Sequence, residues 1–414
     1  MPTFSIIIPT TRAHYLEYSL KSALNQDFND FEVVVIDNQS DGADKIVNEI
    51  SDPRVKYVRT PEKLAMSYNW EFGLKYASGE YITYLGDDDV FVPQLLSTVN
   101  NAISNYPKAN VFNWTWGGYI SPSFPIPDFR NKLSWSSSSE KLTLVKSSKV
   151  LRDFYNPKDV NSYSQRKRLL PSIFHACCHR HIVEAAQKKG GKFFFPSCPD
   201  FSSGIVALAF CEEEILIDKP LVIYGVTIDS CGVCMVGERS AVDVFYEEYK
   251  DEIYQHTPLK TRQIVHNTVA DTMLITQAVF PEELGKYEFG LASYFKGCYR
   301  EILIQERNGL DLTSDREEFE EILSQQSSDI QCSVREWIRV QNHQNVERIP
   351  FTRSIGQSIQ KRVPIIRNIR RTIQTLFEDN SITPAGVVNA QEKGLRDILE
   401  CAEYVGKIIR KTNH

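Results

Sequence analysis

FSIIIPTTRAHYLEYSLKSALNQDFNDFEVVVIDNQSDG, residues 4–42, decides the fold. It opens on a short apolar run rich in isoleucine, which reads as a buried strand over residues 4–8. Pro9-Thr10-Thr11-Arg12 ends that run. Over residues 15–25, Leu16, Leu20 and Leu24 recur at a spacing that puts them on one helical face. A second apolar run, residues 31–36, passes into Asp37-Asn38-Gln39-Ser40-Asp41-Gly42, a set of turn formers. Strand, helix and strand in this order predict a parallel βαβ unit.

The alternation continues outward. A short helix is expected over residues 45–50 and a short strand over 55–58. Leu64, Tyr68, Phe72 and Tyr76 form a helical stripe, which Ala77-Ser78-Gly79 stops. Residues 81–85 read as the next strand, and Gly86-Asp87-Asp88-Asp89 follows it. The expected fold class is α/β, a mostly parallel, Rossmann-like sheet flanked by helices.

Open α/β sheets bind ligands at the carboxyl ends of their strands. The PTTR, DNQSDG and GDDD clusters all fall at such ends. Taken alone, each has a plain reading as a strand terminator, a turn or a solvated acidic loop. Together on one edge they point to a site. A dinucleotide-binding fold is excluded, because its first strand–helix turn needs glycines and PTTRAHY has none. No P-loop motif occurs either. Three carboxylates in a row repel phosphate unless a divalent cation lies between them. Hard oxygen donors of this kind suit magnesium or manganese, which keep positions open for substrate phosphates. Such an ion stabilises a diphosphate leaving group as a Lewis acid.

The composition frames this reading. The 414 residues suggest two or three domains. The net charge of -6 gives no sign of a nucleic-acid partner. No apolar stretch approaches the length of a membrane span. The N-terminal MPTFSIIIP has no basic leader and no cleavage site, so a cytoplasmic location is expected. The nine cysteines are scattered and odd in number, unlike a disulfide framework. Cys231 and Cys234 form a C-x-x-C with no second ligand pair, and read as ordinary reduced thiols rather than a metal site.

In the order of these motifs the chain resembles glycosyltransferase family 2, whose members have the GT-A fold. Ser22, Gln26, Glu32, Asp37, Ser40, Asp41 and Gly42 match the family's opening. SYNWEFGLKYASGEYITYLGDDDVFVP matches its continuation: an Asn on a helix, Ala-x-Gly-Glu-Tyr, a strand, then the acidic motif. The resemblance is strong over residues 3–95, with a return near residue 200. It implies an inverting transferase that takes a sugar from a nucleotide-sugar donor. Pro9, Thr11, Arg12, Asp37, Asn69, Asp87 and Asp88 would bind the donor, and Asp37 would accept from a uracil-like base, which favours UDP. Asp88 and Asp89 would hold the divalent metal, Mn or Mg. The family's first acid falls on Gly86 here, so the ligand assignment among Asp87, Asp88 and Asp89 is open by one residue.

An inverting transfer needs a carboxylate to take the acceptor's proton. GGKFFFPSCPDFSSGIVALAF offers Asp200, which is either that base or a helix N-cap. His175 either borders the acceptor site or is packed. Trp114 and Trp116, two apart as on a strand, either stack on a sugar or fill the core. The Ser- and Pro-rich stretch 122–159 reads as an insertion, a candidate lid or acceptor loop.

Two domains are expected: a catalytic domain over 1–236 and a helical region over 237–414. Within the latter, residues 348–377 carry Arg348, Arg353, Lys361, Arg362, Arg367, Arg370 and Arg371 among isoleucines, with no acid before Glu378. This basic amphipathic stretch either contacts a membrane surface peripherally, at its inner face, or packs on its own protein. The expected function is transfer to a saccharide or lipid-linked acceptor in surface-polysaccharide synthesis. The alternative is a catalytically silent sugar-nucleotide-binding or scaffold subunit.

Overall fold

The computed structural model describes residues 1–160, 167–230, 243, 246–249, 252–307, 310–347 and 384–411. Its first third follows the predicted alternation: β1 (Phe4–Thr10), α1 (Ala13–Leu24), β2 (Phe31–Asp37), α2 (Ala43–Ile50), β3 (Val55–Arg59), α3 (Met66–Leu74) and β4 (Tyr81–Tyr84). β1 lies between β2 and β4, β2 pairs with β3, and all three pairings are parallel. Every residue of β1 and β2 is buried, as expected where helices cover both faces of a parallel sheet. Leu16 and Leu20 of α1 are fully buried, as their spacing predicts.

The stripe on α3 is a correction. Tyr68 and Phe72 are only half-buried and Tyr76 is exposed; the helix instead turns Ser67, Trp70, Gly73 and Leu74 inward. Gly73 lies on the sheet face, where an added Cβ would come within 3.1 Å of both Ile7 and Ile36. The small residue lets the helix sit close to the strands, a reason invisible to apolar spacing.

Beyond β4 the sheet becomes mixed. β5 (Val90–Phe91), α4 (Leu95–Asn105), β6 (Val111–Ile120), β7 (Lys132–Ser136), β8 (Leu142–Lys146), α5 (Ser147–Tyr155), β9 (Ala176–His179), α6 (Arg180–Gly190), α7 (Pro199–Ala209) and β10 (Glu213–Val226) follow. β9 lies antiparallel between β4 and β6. The long β10 runs parallel to β6 and antiparallel to β5 and β8. The stretch 122–159 is therefore not one long loop: half of it forms β7, β8 and α5 and is built into the sheet and its cover.

The helical region holds α8 (Val265–Val279), α9 (Leu291–Arg307), α10 (Thr313–Ser324) and α11 (Ser328–Glu347). α8 packs on α7, and its Val269 and Met273 share one core with Phe193, Phe194 and Phe195. The region does not stay helical to its end. β11 (Pro384–Asn389) pairs antiparallel with β7, and α12 (Ile398–Lys411) buries Cys401, Ala402, Val405 and Ile409 in the main core. The C-x-x-C at Cys231 and the basic stretch 348–377 lie outside the described residues. No disulfide joins the described cysteines, and no described helix is long and apolar enough to cross a membrane.

Candidate active site

The carboxyl ends of β1 and β4 meet the carboxyl end of β10. Thr10, the last residue of β1, donates from Oγ1 to Asp87 Oδ2 at 2.9 Å. Arg12 pairs with both Asp87 oxygens and lies 3.2 Å from Asp88 Oδ1. From the other side, Ser230 Oγ donates to Asp88 Oδ2 at 2.7 Å and the Gly225 N–H donates to Asp89 Oδ1 at 2.8 Å. Arg12 also donates to the Asp229 carbonyl at 2.6 Å, and the Tyr15 hydroxyl to Asp229 Oδ2 at 3.1 Å. The 225–230 segment is thus latched over the acidic loop.

Two glycines make this geometry possible. A Cβ on Gly86 would lie 2.5 Å from Asp89 Oδ2, because the Asp89 carboxylate folds back over that position. The glycine that departs from the family's acidic pattern is what the third aspartate needs. A Cβ on Gly225 would lie 1.9 Å from the Asp88 carbonyl oxygen, so β10 approaches the loop closely only without one.

The charge balance of the loop is incomplete. Burial works against the Arg12 charge, but Asp87 and Asp88 outweigh it and hold the guanidinium charged. Burial pushes the Asp88 carboxyl up, with Arg12 opposing and Asp87 adding to the rise. Burial and then Asp88 repulsion push Asp89 well above the usual carboxylate range. One guanidinium faces three closely set acids, Asp87 and Asp89 buried and Asp88 half-buried, so protonation or a further positive charge would complete the balance. Among the described residues no three His, Cys, Asp or Glu side chains converge as a metal cage. Asp88 and Asp89 present hard oxygen donors of the kind a divalent cation takes, and would be the residues to hold one.

The other predicted residues fall as follows. Pro9 is buried in β1 and Thr11 is exposed just beyond it. Asp37 is fully buried at the end of β2. Its Oδ2 accepts from Tyr57 at 2.6 Å and Arg59 at 2.7 Å, and its Oδ1 from the Ser40 N–H at 2.7 Å. A base at this carboxylate must share it with three groups of the protein. Asn69 is buried in α3, and no described group bonds its Oδ1.

Asp200 is in the first turn of α7, whose N-cap is Cys198. It is therefore not the N-cap that its sequence context also allowed. Burial raises its carboxyl pKa, while Lys167 and the backbone N–H groups of the turn oppose the rise. His175 is buried, with Nδ1 2.7 Å from the Tyr224 hydroxyl and Nε2 3.2 Å from the Leu170 carbonyl. The Trp116 ring lies 4.6 Å from the His175 ring, whereas Trp114 is core. Burial pushes Tyr224 well up, and the charges of Asp89 and Asp200 add to the rise. Tyr224 therefore stands within electrostatic reach of both carboxylates.

Sequence reading missed Thr10, Tyr224, Gly225, Asp229 and Ser230. Thr10 lay within a cluster already singled out. For the rest, the available signal was LVIYGVTIDS, an apolar run that passes into Thr, Asp and Ser as the earlier apolar runs pass into polar clusters.

Residues 5–151 match the family model described as Glycosyl transferase family 2. A GalNAc(5)-diNAcBac-PP-undecaprenol beta-1,3-glucosyltransferase of Campylobacter jejuni is 40% identical over 117 residues, 27% of this chain and 38% of that protein. A UDP-Glc:alpha-D-GlcNAc-diphosphoundecaprenol beta-1,3-glucosyltransferase of Escherichia coli is 32% identical over 117 residues, 28% of this chain and 45% of that protein. The chain thus spans less than half the length of these curated relatives. Among solved structures, TarS 1-349 of S. aureus in complex with UDP-GlcNAc is a distant likeness. Its TM-score is 0.43 at 16% identity, over 72% of this chain and 81% of that one. The matched segment holds Pro9, Arg12, Asp37, Asn69 and all three aspartates, and over those residues the chain is similar to glycosyl transferase family 2.

Proposed function

We propose that the protein is a glycosyltransferase that moves a sugar from a nucleoside diphosphate donor, UDP-linked, to a lipid-linked saccharide with inversion at the sugar carbon. The observation that carries this reading is the Asp87–Asp89 loop, held by Arg12 on one side and by Gly225 and Ser230 at the end of β10 on the other. The two relatives named above act on diphosphate-linked undecaprenol carriers, which supports a lipid-linked acceptor.

In this reading Thr10 and Arg12 set the orientation of the acidic loop, and Arg12 is the cation that meets the diphosphate. A divalent ion held by Asp88 and Asp89 would supply Lewis-acid stabilisation of the leaving group. Asp200 takes the proton from the acceptor hydroxyl. The acceptor oxygen forms its bond to the sugar carbon as the carbon–phosphate oxygen bond breaks, and the nucleoside diphosphate leaves with the electron pair. The raised pKa of Asp200 suits it to hold that proton. The basic stretch 348–377 brings the protein to an anionic lipid surface, where such an acceptor is presented.

A screen of nucleotide sugars for transfer and hydrolysis, with and without manganese, tests the reading. Turnover of a UDP-sugar that a chelator abolishes is expected. Donor binding without turnover on any acceptor would overturn it in favour of a silent binding subunit.

A further inference from the structure

The contact between His175 and Tyr224 fixes which way a hydrogen bond runs. His175 Nε2 faces the Leu170 carbonyl at 3.2 Å, and a carbonyl only accepts. Nε2 therefore carries the ring hydrogen. The ring is neutral, since burial first and Lys167 second push its pKa down to about 3. Nδ1 is left with a lone pair, 2.7 Å from the phenol oxygen, so Tyr224 must donate to it. The only hydrogen of the phenol is used, and what its oxygen still offers is a hydrogen-bond acceptor.

That acceptor is well placed. Tyr224 directly precedes Gly225, whose N–H holds Asp89. It is half-buried, and the charges of Asp89 and Asp200 both act on it. In an in-line displacement the sugar lies between the leaving diphosphate and the base. The Trp116 ring, 6.0 Å from Tyr224 and itself half-buried, extends the same wall. Aromatic rings beside a directed polar atom form the surface on which a sugar ring packs while its hydroxyls are read.

We propose that Tyr224 is a specificity-determining contact for the transferred sugar: its oxygen, committed by His175 to donate inward, accepts a hydrogen bond from one sugar hydroxyl. This rests on the glycosyltransfer reading above and adds to it a group that reads the sugar. A donor lacking that hydroxyl leaves the remaining acceptor position of the phenol oxygen empty, and a site built to pair a substrate hydroxyl discriminates strongly against its absence.

The experiment compares wild type with Tyr224→Phe, which keeps the ring and removes only the oxygen. The probes are the donor found in the nucleotide-sugar screen and its monodeoxy analogues. Wild type is expected to disfavour one analogue by roughly tenfold or more in kcat/KM. Tyr224→Phe is expected to lose a similar factor with the parent donor, to treat that analogue and the parent alike, and to keep its affinity for UDP. A variant that slows parent and every analogue by one common factor, or that keeps the wild-type preference, overturns the proposal. A wild-type protein that turns over no nucleotide sugar defeats the glycosyltransfer reading instead, so the two failures are distinguishable.

Discussion

Asp200 occupies a helix first turn, where backbone N–H groups favour a carboxylate, yet burial outweighs them and raises its pKa. Asp200→Asn keeps the shape and removes the basicity. Transfer should slow by about 10²–10⁴-fold, the range for losing a general base, with UDP affinity near normal by calorimetry. Because the base must be unprotonated, the acid limb of the wild-type pH–rate profile should lie above that of an ordinary aspartate. A variant that keeps most of its turnover would leave Asp200 as a first-turn acid only. Glu214 poses the opposite case, a buried acid far from any assigned role. Burial raises it to about 8, and the Asn113 amide, 3.3 Å away, only partly opposes this. The folded protein keeps a proton that the unfolded chain releases near 4.5. Stability should therefore fall as pH rises through that window, by up to about 1.4 kcal/mol per pH unit. Glu214→Gln should flatten the dependence and melt higher than wild type at pH 8. At this scale the sequence was readable where an acidic cluster follows a short strand, as at Asp87, Asp88 and Asp89. It was silent on the partners of those acids, since Ser230 and Gly225 are over a hundred residues away and only the folded chain brings them together.

β10 is the element that brings a further strand end to the acidic loop, since it carries Tyr224 and Gly225 at the end of fourteen residues paired with β6 and β8. A methyl group at Gly225 meets the Asp88 carbonyl oxygen and forces strand and loop apart. Gly225→Ala should cost about 1–3 kcal/mol of stability, as overpacking does. It should also weaken manganese-dependent UDP binding by at least roughly tenfold, about 1.4 kcal/mol. Unchanged binding would mean that the latch between β10 and the acidic loop has no part in holding the donor. The earlier elements were legible because periodicity is local: β1, α1, β2 and β4 fall within one or two residues of their predicted bounds. β10 was not, because its parallel partner β6 lies about a hundred residues away and nothing in either segment names the other. α3 misled for a related reason. Its sheet face is set by Gly73 and Trp70, and a small residue at a close approach leaves no apolar signal.

At the scale of the whole molecule, the chain leaves the sheet for the helical region and then comes back. α11 ends at Glu347 and β11 begins at Pro384, joining β7 at the sheet edge. α12 then packs Val405 and Ile409 into the same core as β1. Fully burying a Val or Ile side chain contributes about 1.5–3 kcal/mol, so a chain ending before residue 384 should melt well below the full chain. Sequence reading, which assigned everything past residue 236 to a helical unit, had no means of seeing this return. The return bears on the membrane question, because described structure resumes at Pro384 after the basic stretch. Seven cations from Arg348 to Arg371 stand in a chain of net charge -6. Each cation near an anionic surface contributes about 1 kcal/mol, and salt screens it. In flotation, the full chain should rise with anionic vesicles, remain below neutral ones, and be released by high salt. Changing Arg367, Arg370 and Arg371 to Glu should abolish flotation while the melting temperature and UDP binding stay put. If that triple variant floats as wild type does, the cations serve no lipid contact. If it instead melts early, the stretch packs against its own protein, and the approach to a lipid-linked acceptor must come from another surface.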